Sequence, residues 1–413
     1  MTASADPFGE SPYDIPDYPM ARAEGCPFDP PPAMRAARRR SSVTRVRLWD
    51  GSTPWLVTGY AAQRELLTDS RLSCDVSKPG FPHISESFKA RRTAKRRSFI
   101  NFDDPEHGRL RRMVTAPFTA RRIEAMRPHI QRIVDDLIDE MAAGPRPVDL
   151  VESFALVVPS LVICELLGVP YEDHAFFQRQ SRNLINGGSA PDAALDAQRA
   201  LHQYLDRLIE AKDAEPGDDL LSELVVHQVR SGALTAADVT LMSTLLLVAG
   251  HETTANMIAL GTLALLEHPD QLALLRHSDD SKTVAGAVEE LLRFLTVIHT
   301  GRGRVALEDL EVEGKAIRAG EGVILVNSEA NRDETAFPDP DRLDLTRDAR
   351  RHLAFGFGAH QCLGQSLARV QLQVVYATLH RRLPNLRLAV DRDSIPFKHE
   401  GLVYGVWELP VTW

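Results

Sequence analysis

The stretch Phe355-Gly-Phe-Gly-Ala-His-Gln-Cys-Leu-Gly364 decides the reading of this chain. It predicts a glycine-broken loop that runs straight into a helix. After Cys362 the apolar residues Leu363, Leu367, Val370, Val374 and Ala377 recur at alternating steps of four and three, one buried helical face. Gly356 and Gly358 allow the backbone to turn tightly, and Gly364 allows a flat ligand to approach the helix start. Cys362 is thereby placed at a helix N-terminus, where free N–H groups and the dipole favour a thiolate over a thiol. A plain buried cysteine, the common fate of a lone Cys, would not require this register of glycines, phenylalanine and histidine around it.

That register resembles the haem-ligand signature of the cytochrome P-450 superfamily, with Phe355, Gly358, His360, Cys362 and Gly364 each at a position the pattern uses. The resemblance implies haem b held through the Cys362 thiolate, with O₂ as co-substrate. A thiolate on haem iron pushes electron density toward cleavage of an O–O bond. It also implies a fold that is mainly α with small β-sheets: a single large domain spanning 1–413, with the haem between a central helix and the cysteine-loop helix.

Composition agrees with one globular body. Hydrophobic residues make up 44% of the chain and charged residues 25%, ordinary values for a soluble protein. No linker divides the 413 residues, since the Pro-rich stretches near Pro27–Pro32 and Pro338–Pro340 are short and lie beside patterned segments. A net charge of −9 leaves no basic excess to displace counterions from nucleic acid. Cys26, Cys74, Cys164 and Cys362 are scattered without a C-x-x-C pair, so neither a zinc ribbon nor a disulfide framework is indicated. The N-terminus is acidic and Pro-rich and lacks the apolar core of a signal peptide or anchor. We therefore expect a cytoplasmic monomer with no membrane span, its residues 1–20 a flexible tail.

Val43–Trp49 and Trp55–Thr58 flank Asp50-Gly51 and read as a hairpin. Helical patterns dominate from about Ala61 to Glu267, strand-like alternation returns over Val305 to Asn327, and short strands are expected from Leu386 to Trp413. Thr235-x-x-Asp238 is a capping box that opens an apolar segment closed by Pro269. About 32 helical residues would span roughly 48 Å, enough to cross the whole domain. Midway lies Ala249-Gly-His-Glu-Thr-Thr254. Gly250 is costly inside a helix and a threonine can bond back to the i−4 carbonyl, so a bend is expected here. His251-Glu252 begins like the zinc-protease motif H-E-x-x-H, but Ala255 occupies the second histidine position.

The segment instead resembles the superfamily's A-G-x-[D/E]-T element. That likeness makes Glu252 the acid and Thr253 the alcohol of a proton-delivery pair, with Ala249 and Gly250 beside the haem. His107 and Arg111 match the family's H-x-x-x-R haem contact, and Arg304 and His360 fill its other propionate positions; a guanidinium suits a carboxylate because it forks. Glu290-Leu-Leu-Arg293 is similar to the family's E-x-x-R, for which Arg342 is the expected third, structural member. Leu245, Val248, Ala249, Ile298, Thr300, Leu402 and Val403 are the expected pocket lining, and the Gly187-Gly188 break would suit a lid.

Phrases such as Arg45-Val-Arg-Leu-Trp-Asp50 and Glu408-Leu-Pro-Val-Thr-Trp413 resemble the actinomycete branch of soluble bacterial enzymes. That branch hydroxylates or epoxidises macrolides and other polyketides, with some members acting on xenobiotics or secosteroids. It implies electrons from a ferredoxin and an NAD(P)H-dependent ferredoxin reductase, docking at exposed cations such as Arg109, Arg112, Arg121 and Arg122. Phe357 departs from the branch, where a histidine is frequent.

Two other classes compete. A haem-thiolate sensor would not need Glu252 and Thr253, and a peroxide-driven enzyme would have lost them. A nicotinamide site is disfavoured by Gln361 where a third glycine belongs. Six cations, Lys89, Arg91, Arg92, Lys95, Arg96 and Arg97, precede Asp103. They form either a solvated loop or a set from which one or two turn toward a polar group of the substrate.

Overall fold

Thr235 begins the central helix as its spacing predicts: its hydroxyl accepts the Asp238 amide at 3.2 Å, and the Asp238 carboxylate accepts the Thr235 N–H at 2.9 Å. The helix then runs unbroken from Ala236 to Glu267, 32 residues. Its sequence is apolar on nearly every face, so it must be enclosed on all sides to be stable. Helices Val157–Leu167, Pro191–Ala214 and Gln365–Arg382 pack around it. Gly250 lies in continuous helix, where its missing side chain admits Ile163: a Cβ would stand 3.2 Å from the Ile163 side chain. Contact with the Gln365–Arg382 helix is closer still at Gly261. A Cβ there would fall 1.9 Å from the Tyr376 hydroxyl, which donates to the Met257 carbonyl.

These coordinates are a computed structural model, which describes residues 15–413 apart from 24, 87, 90–97, 186–190, 279, 400 and 401. The expected lid at Gly187-Gly188 lies outside the described residues. So do Arg91, Arg92, Lys95, Arg96 and Arg97 of the cation cluster.

The predicted hairpin forms, with β1 (Val43–Arg45) antiparallel to β2 (Trp55–Val57). A two-residue β3 (Leu72–Ser73) follows, then β4 (Val148–Asp149) beyond the first long helices. After the central helix come β5 (Arg302–Ala306), β6 (Leu310–Val312), β7 (Lys315–Ile317) and β8 (Gly322–Leu325), and the chain ends with β9 (Arg387–Leu388) and β10 (Pro410–Thr412). One five-stranded sheet has the order β1-β2-β8-β5-β3, with β2 parallel to β8 and the other pairs antiparallel. β4, β10 and β9 make a second sheet, and β6 with β7 an isolated ribbon. The outcome is a mainly helical body with small sheets at its edge.

One expectation needs correcting. The described part of the N-terminal segment is not a flexible tail, because Asp17 bridges to Arg47 and Tyr18 is only 4% exposed. Its ring joins Met34, Val46, Leu48 and Ile324 in an apolar cluster behind the sheet.

Candidate active site

The loop before Cys362 has the backbone that its glycines predict. Gly356 and Gly358 hold φ of +72° and +75°, and a Cβ on Gly358 would lie 2.6 Å from the Leu67 carbonyl oxygen. Only glycine satisfies both constraints there. The Cys362 N–H donates to the Phe355 carbonyl at 2.9 Å, closing the loop on itself, and the helix begins three residues later at Gln365. Phe355 lies under the Arg369 guanidinium at 4.5 Å. Arg369 in turn forks onto Glu289 at 2.6 and 3.0 Å, and His352 reaches the same carboxylate at 3.1 Å. Burial alone would raise Glu289, but hydrogen bonds from His352 and Arg369 pull it down to about 2. This carboxylate cluster, absent from the sequence reading, stiffens the Phe355 side of the loop.

Cations converge on the opposite side. The His107 ring stacks on His360 with centroids 3.8 Å apart. Arg111 donates to the Gln361 carbonyl at 2.7 Å. Arg302 and Arg304 alternate along β5 and so share a face. Burial lowers the pKa of Arg111, Arg302 and Arg304, and burial with Arg304 and His107 nearby pushes His360 down to about 3. Among the described residues no carboxylate forms an ion pair with these three arginines, while His107 Nε2 and Arg302 Nε are buried without a hydrogen-bond partner. Buried cations left without a counter-ion are costly unless a ligand brings the charge. The donor set fits a haem, whose two carboxylates would meet these groups while the Cys362 sulfur meets the iron. Arg302 is the member that sequence reasoning missed, although its i−2 relation to Arg304 was a usable signal. Burial raises the Cys362 thiol; Arg302 first, then Arg111 and Arg369, oppose that shift.

The E-x-x-R pair is fully buried. Arg293 binds Glu290 with two parallel bonds of 2.7 and 2.8 Å, both side chains at 0% exposure. The third member is Arg347 and not Arg342. Arg347 Nε donates to Glu290 at 3.2 Å, whereas Arg342 is exposed and contributes only its backbone carbonyl, which accepts from Arg293 at 3.3 Å.

On the central helix, Ala249 is exposed and Leu245, Val248, Gly250 and Thr253 are half-buried, in the middle of an element otherwise enclosed. These positions recur at helical spacing and therefore form one stripe beside open space. The Thr253 hydroxyl donates to the Ala249 carbonyl at 2.7 Å, which leaves its lone pairs able to receive a donor. Glu252 points elsewhere and is 2% exposed; its Oε2 lies 3.2 Å from Asn256 Nδ2 and 3.5 Å from Lys398 Nζ, and its Oε1 has no partner. His251 meets the Leu156 carbonyl instead of a metal set.

The remaining expected lining residues divide. Ile298 and Leu402 are half-buried, and Thr300 is buried with an unpartnered hydroxyl. Val403 is bridged to Ile298 and only 2% exposed, so it is a core residue and not part of an open wall. Among the expected docking cations, Arg109 and Arg122 are held by Glu106 and Glu223 at 2.7 and 3.0 Å, while Arg112 and Arg121 are exposed.

A family model described as cytochrome P450 matches residues 45–403. The chain belongs to the cytochrome P450 family. It is a P450 monooxygenase, and the family implies a haem on a cysteine thiolate. Its relatives include cytochrome P450 GfsF of Streptomyces halstedii, 56% identical over 407 residues and 98% of each chain. The crystal structure of GfsF superposes with a TM-score of 0.92 over 97% of this P450 and 100% of that chain. The vitamin D3 dihydroxylase of Streptomyces griseolus is 48% identical over 401 residues, 97% of each chain. The mycinamicin VIII C21 methyl hydroxylase MycCI of Micromonospora griseorubida, solved with mycinamicin VIII bound, is 39% identical with a TM-score of 0.90, covering 97% of this P450 and 100% of that chain. These are actinomycete proteins, the branch that the sequence resembled. Among the described residues no helix is long and apolar enough to cross a membrane.

Proposed function

We propose that this P450 inserts one oxygen atom of O₂ into a C–H or C=C bond of a bulky apolar natural product of the macrolide or polyketide class. The reading assigns the haem to Cys362, its carboxylates to His107, Arg111, Arg304, His360 and Arg302, and proton delivery to Glu252 and Thr253. When bound, the haem supplies O₂ activation and transfer of one oxygen atom. Overall, substrate, O₂, two electrons and two protons give oxygenated product and water. The observation that carries the proposal is the stripe Leu245, Val248, Ala249 and Thr253, a mostly apolar wall with one hydroxyl in it. An apolar wall with few polar groups suits a large lipophilic ligand. The likeness to MycCI supports a macrolide in particular.

Within that wall Thr253 orients a water through its free lone pairs, and Glu252 exchanges protons through the polar cluster behind the helix. Electrons are assigned to a ferredoxin and its NAD(P)H-dependent reductase. Arg112 and Arg121 remain as the candidate docking cations, since Arg109 and Arg122 already have partners.

The test of substrate class is the blue shift of the Soret band on titrating macrolides, secosteroids and aromatic drugs. We expect saturable shifts with macrolides. Identity to the vitamin D3 dihydroxylase is higher than to MycCI, and this favours a secosteroid as the second reading. Saturable shifts with secosteroids and silence with every macrolide would establish it instead.

Thr253→Ala should uncouple the enzyme. NAD(P)H oxidation should continue while product per reducing equivalent falls by about tenfold or more and peroxide rises, a change smaller than the roughly hundredfold low end for losing a proton-transfer group outright, because a water can partly replace the hydroxyl. Unchanged product yield would reduce Thr253 to a packing residue.

A further inference from the structure

Glu252 is an acid that the chain has buried, and a buried carboxylate needs a defined partner to remain charged and in place. The partner comes from the far end of the chain. Lys398 Nζ lies 3.5 Å from Glu252 Oε2, with the lysine side chain 9% exposed and the glutamate 2%. The lysine stem passes the face of Trp407, with the ammonium 4.9 Å from the ring centre, so aromatic contact and burial both restrict where that ammonium can go.

The segment bearing Lys398 is itself pinned to the central helix. Phe397 bridges to Val406, and the Lys398 N–H donates to the Gly405 carbonyl at 2.8 Å. Gly405 abuts the central helix so closely that a Cβ would fall 1.7 Å from Asn256 Oδ1. Asn256, one helical turn beyond Glu252, donates to the Glu252 carbonyl at 2.7 Å and to its carboxylate at 3.2 Å. Amide and ammonium therefore close on the same carboxylate oxygen from two elements, with the Gly405 backbone packed against the amide. The other polar side chains flanking Glu252 on the helix are His251, Thr253 and Thr254; His251 Nε2 lies against the Leu156 carbonyl and the Thr253 hydroxyl donates to the Ala249 carbonyl.

We propose that Lys398 is a positioning residue for proton delivery: it fixes the rotamer of Glu252, and Gly405 and Asn256 hold the two elements at the spacing this requires. The proposal rests on the reading of Glu252 as the proton-delivery acid. It makes the C-terminal segment, whose neighbour Leu402 is an expected substrate contact, part of the same mechanical unit as the acid. In this role Lys398 acts through Glu252, the carboxylate its ammonium faces.

The test uses the haem-loaded protein as Lys398→Met, Lys398→Arg, Glu252→Gln and the Lys398→Met/Glu252→Gln pair, reduced through a plant-type ferredoxin and its reductase. Peroxide released per O₂ consumed is measured, alongside the thermal unfolding midpoint. We expect Lys398→Met and Glu252→Gln each to raise the peroxide fraction by about three- to tenfold, Lys398→Arg to restore it, and the pair to be no worse than Glu252→Gln alone. The Tm losses of the two single variants should likewise fail to add. Independent, additive losses, or a Lys398→Met variant with the parental peroxide fraction while Glu252→Gln uncouples, would overturn the role of Lys398 and leave that of Glu252 standing. If Glu252→Gln itself does not change the peroxide fraction, the acid assignment fails; non-additive Tm losses would then leave Lys398 a purely structural partner.

Discussion

Cys362→His is expected to take up haem yet lose the strongly red-shifted Soret band of the ferrous–CO complex. The band would report an anionic sulfur as the iron's protein ligand, and a neutral imidazole would not push electron density in the same way. The surrounding loop makes the outcome specific. Cys362 is fixed by its own N–H bond to Phe355, and Arg302 and Arg111 are the nearby cations that favour the thiolate. No other cysteine offers this setting: the Cys74 thiol is pushed up to about 12 by burial and donates to the Phe102 carbonyl, burial likewise takes Cys164 up to about 12, and burial with Asp29 nearby raises Cys26. Monooxygenation should fall to background with the band. A variant that kept the band would place the ligand elsewhere and remove the basis of the site.

Arg293→Leu is expected to abolish accumulation of folded, haem-loaded protein. The guanidinium donates two bonds to Glu290 and further bonds to the carbonyls of Asn331, Pro340 and Arg342. Removing it leaves a fully buried carboxylate with only Arg347 and the Asp344 N–H as donors on one oxygen, a loss approaching the roughly 3–5 kcal/mol of a broken buried pair. Each unpaired buried carbonyl adds about 1 kcal/mol or more, and the total is comparable with the whole stability of a typical domain. Urea unfolding of any material recovered checks the magnitude, and Arg293→Lys, which keeps the charge without the fork, should restore only part of it. The same assay decides the third member of the triad. Arg347→Ala should lower stability measurably because it removes a bond to Glu290, whereas Arg342→Ala should be close to neutral because alanine retains the only atom Arg342 contributes.

The confusion of Arg342 with Arg347 shows where sequence reasoning stops. Both lie in an irregular segment, where no periodicity states which way a side chain points. The cysteine loop and the central helix were legible because their signals are local: glycines at positive φ, a capping box, and a long, largely apolar run with a charged residue, Glu252, at its middle. The Glu290–Arg293 pair was legible for the same reason, being one helical turn apart. Lys398 was not, since the contact to Glu252 joins residues brought together only by the complete tertiary fold. The ordered segment around Tyr18 was hidden by its composition, because an acidic, Pro-rich stretch can lie against a surface without forming any regular element. Val403 was placed by its position in the C-terminal turn, which brings a side chain inward without separating a core from a cavity wall.

The parallel pairing of β2 with β8 has a consequence for the order in which this molecule can be made. Trp55, Leu56 and Val57 find their neighbours Val323, Ile324 and Leu325 only after more than half the chain has followed them from the ribosome. The hairpin that opens the sequence must wait with its apolar face uncovered, and contacts of such sequence separation are slow to close. The cysteine emerges later still. A haem site built on Cys362 can therefore be completed only late in synthesis, and the early hairpin is left longest without its partner strand, the kind of uncovered edge that invites aggregation.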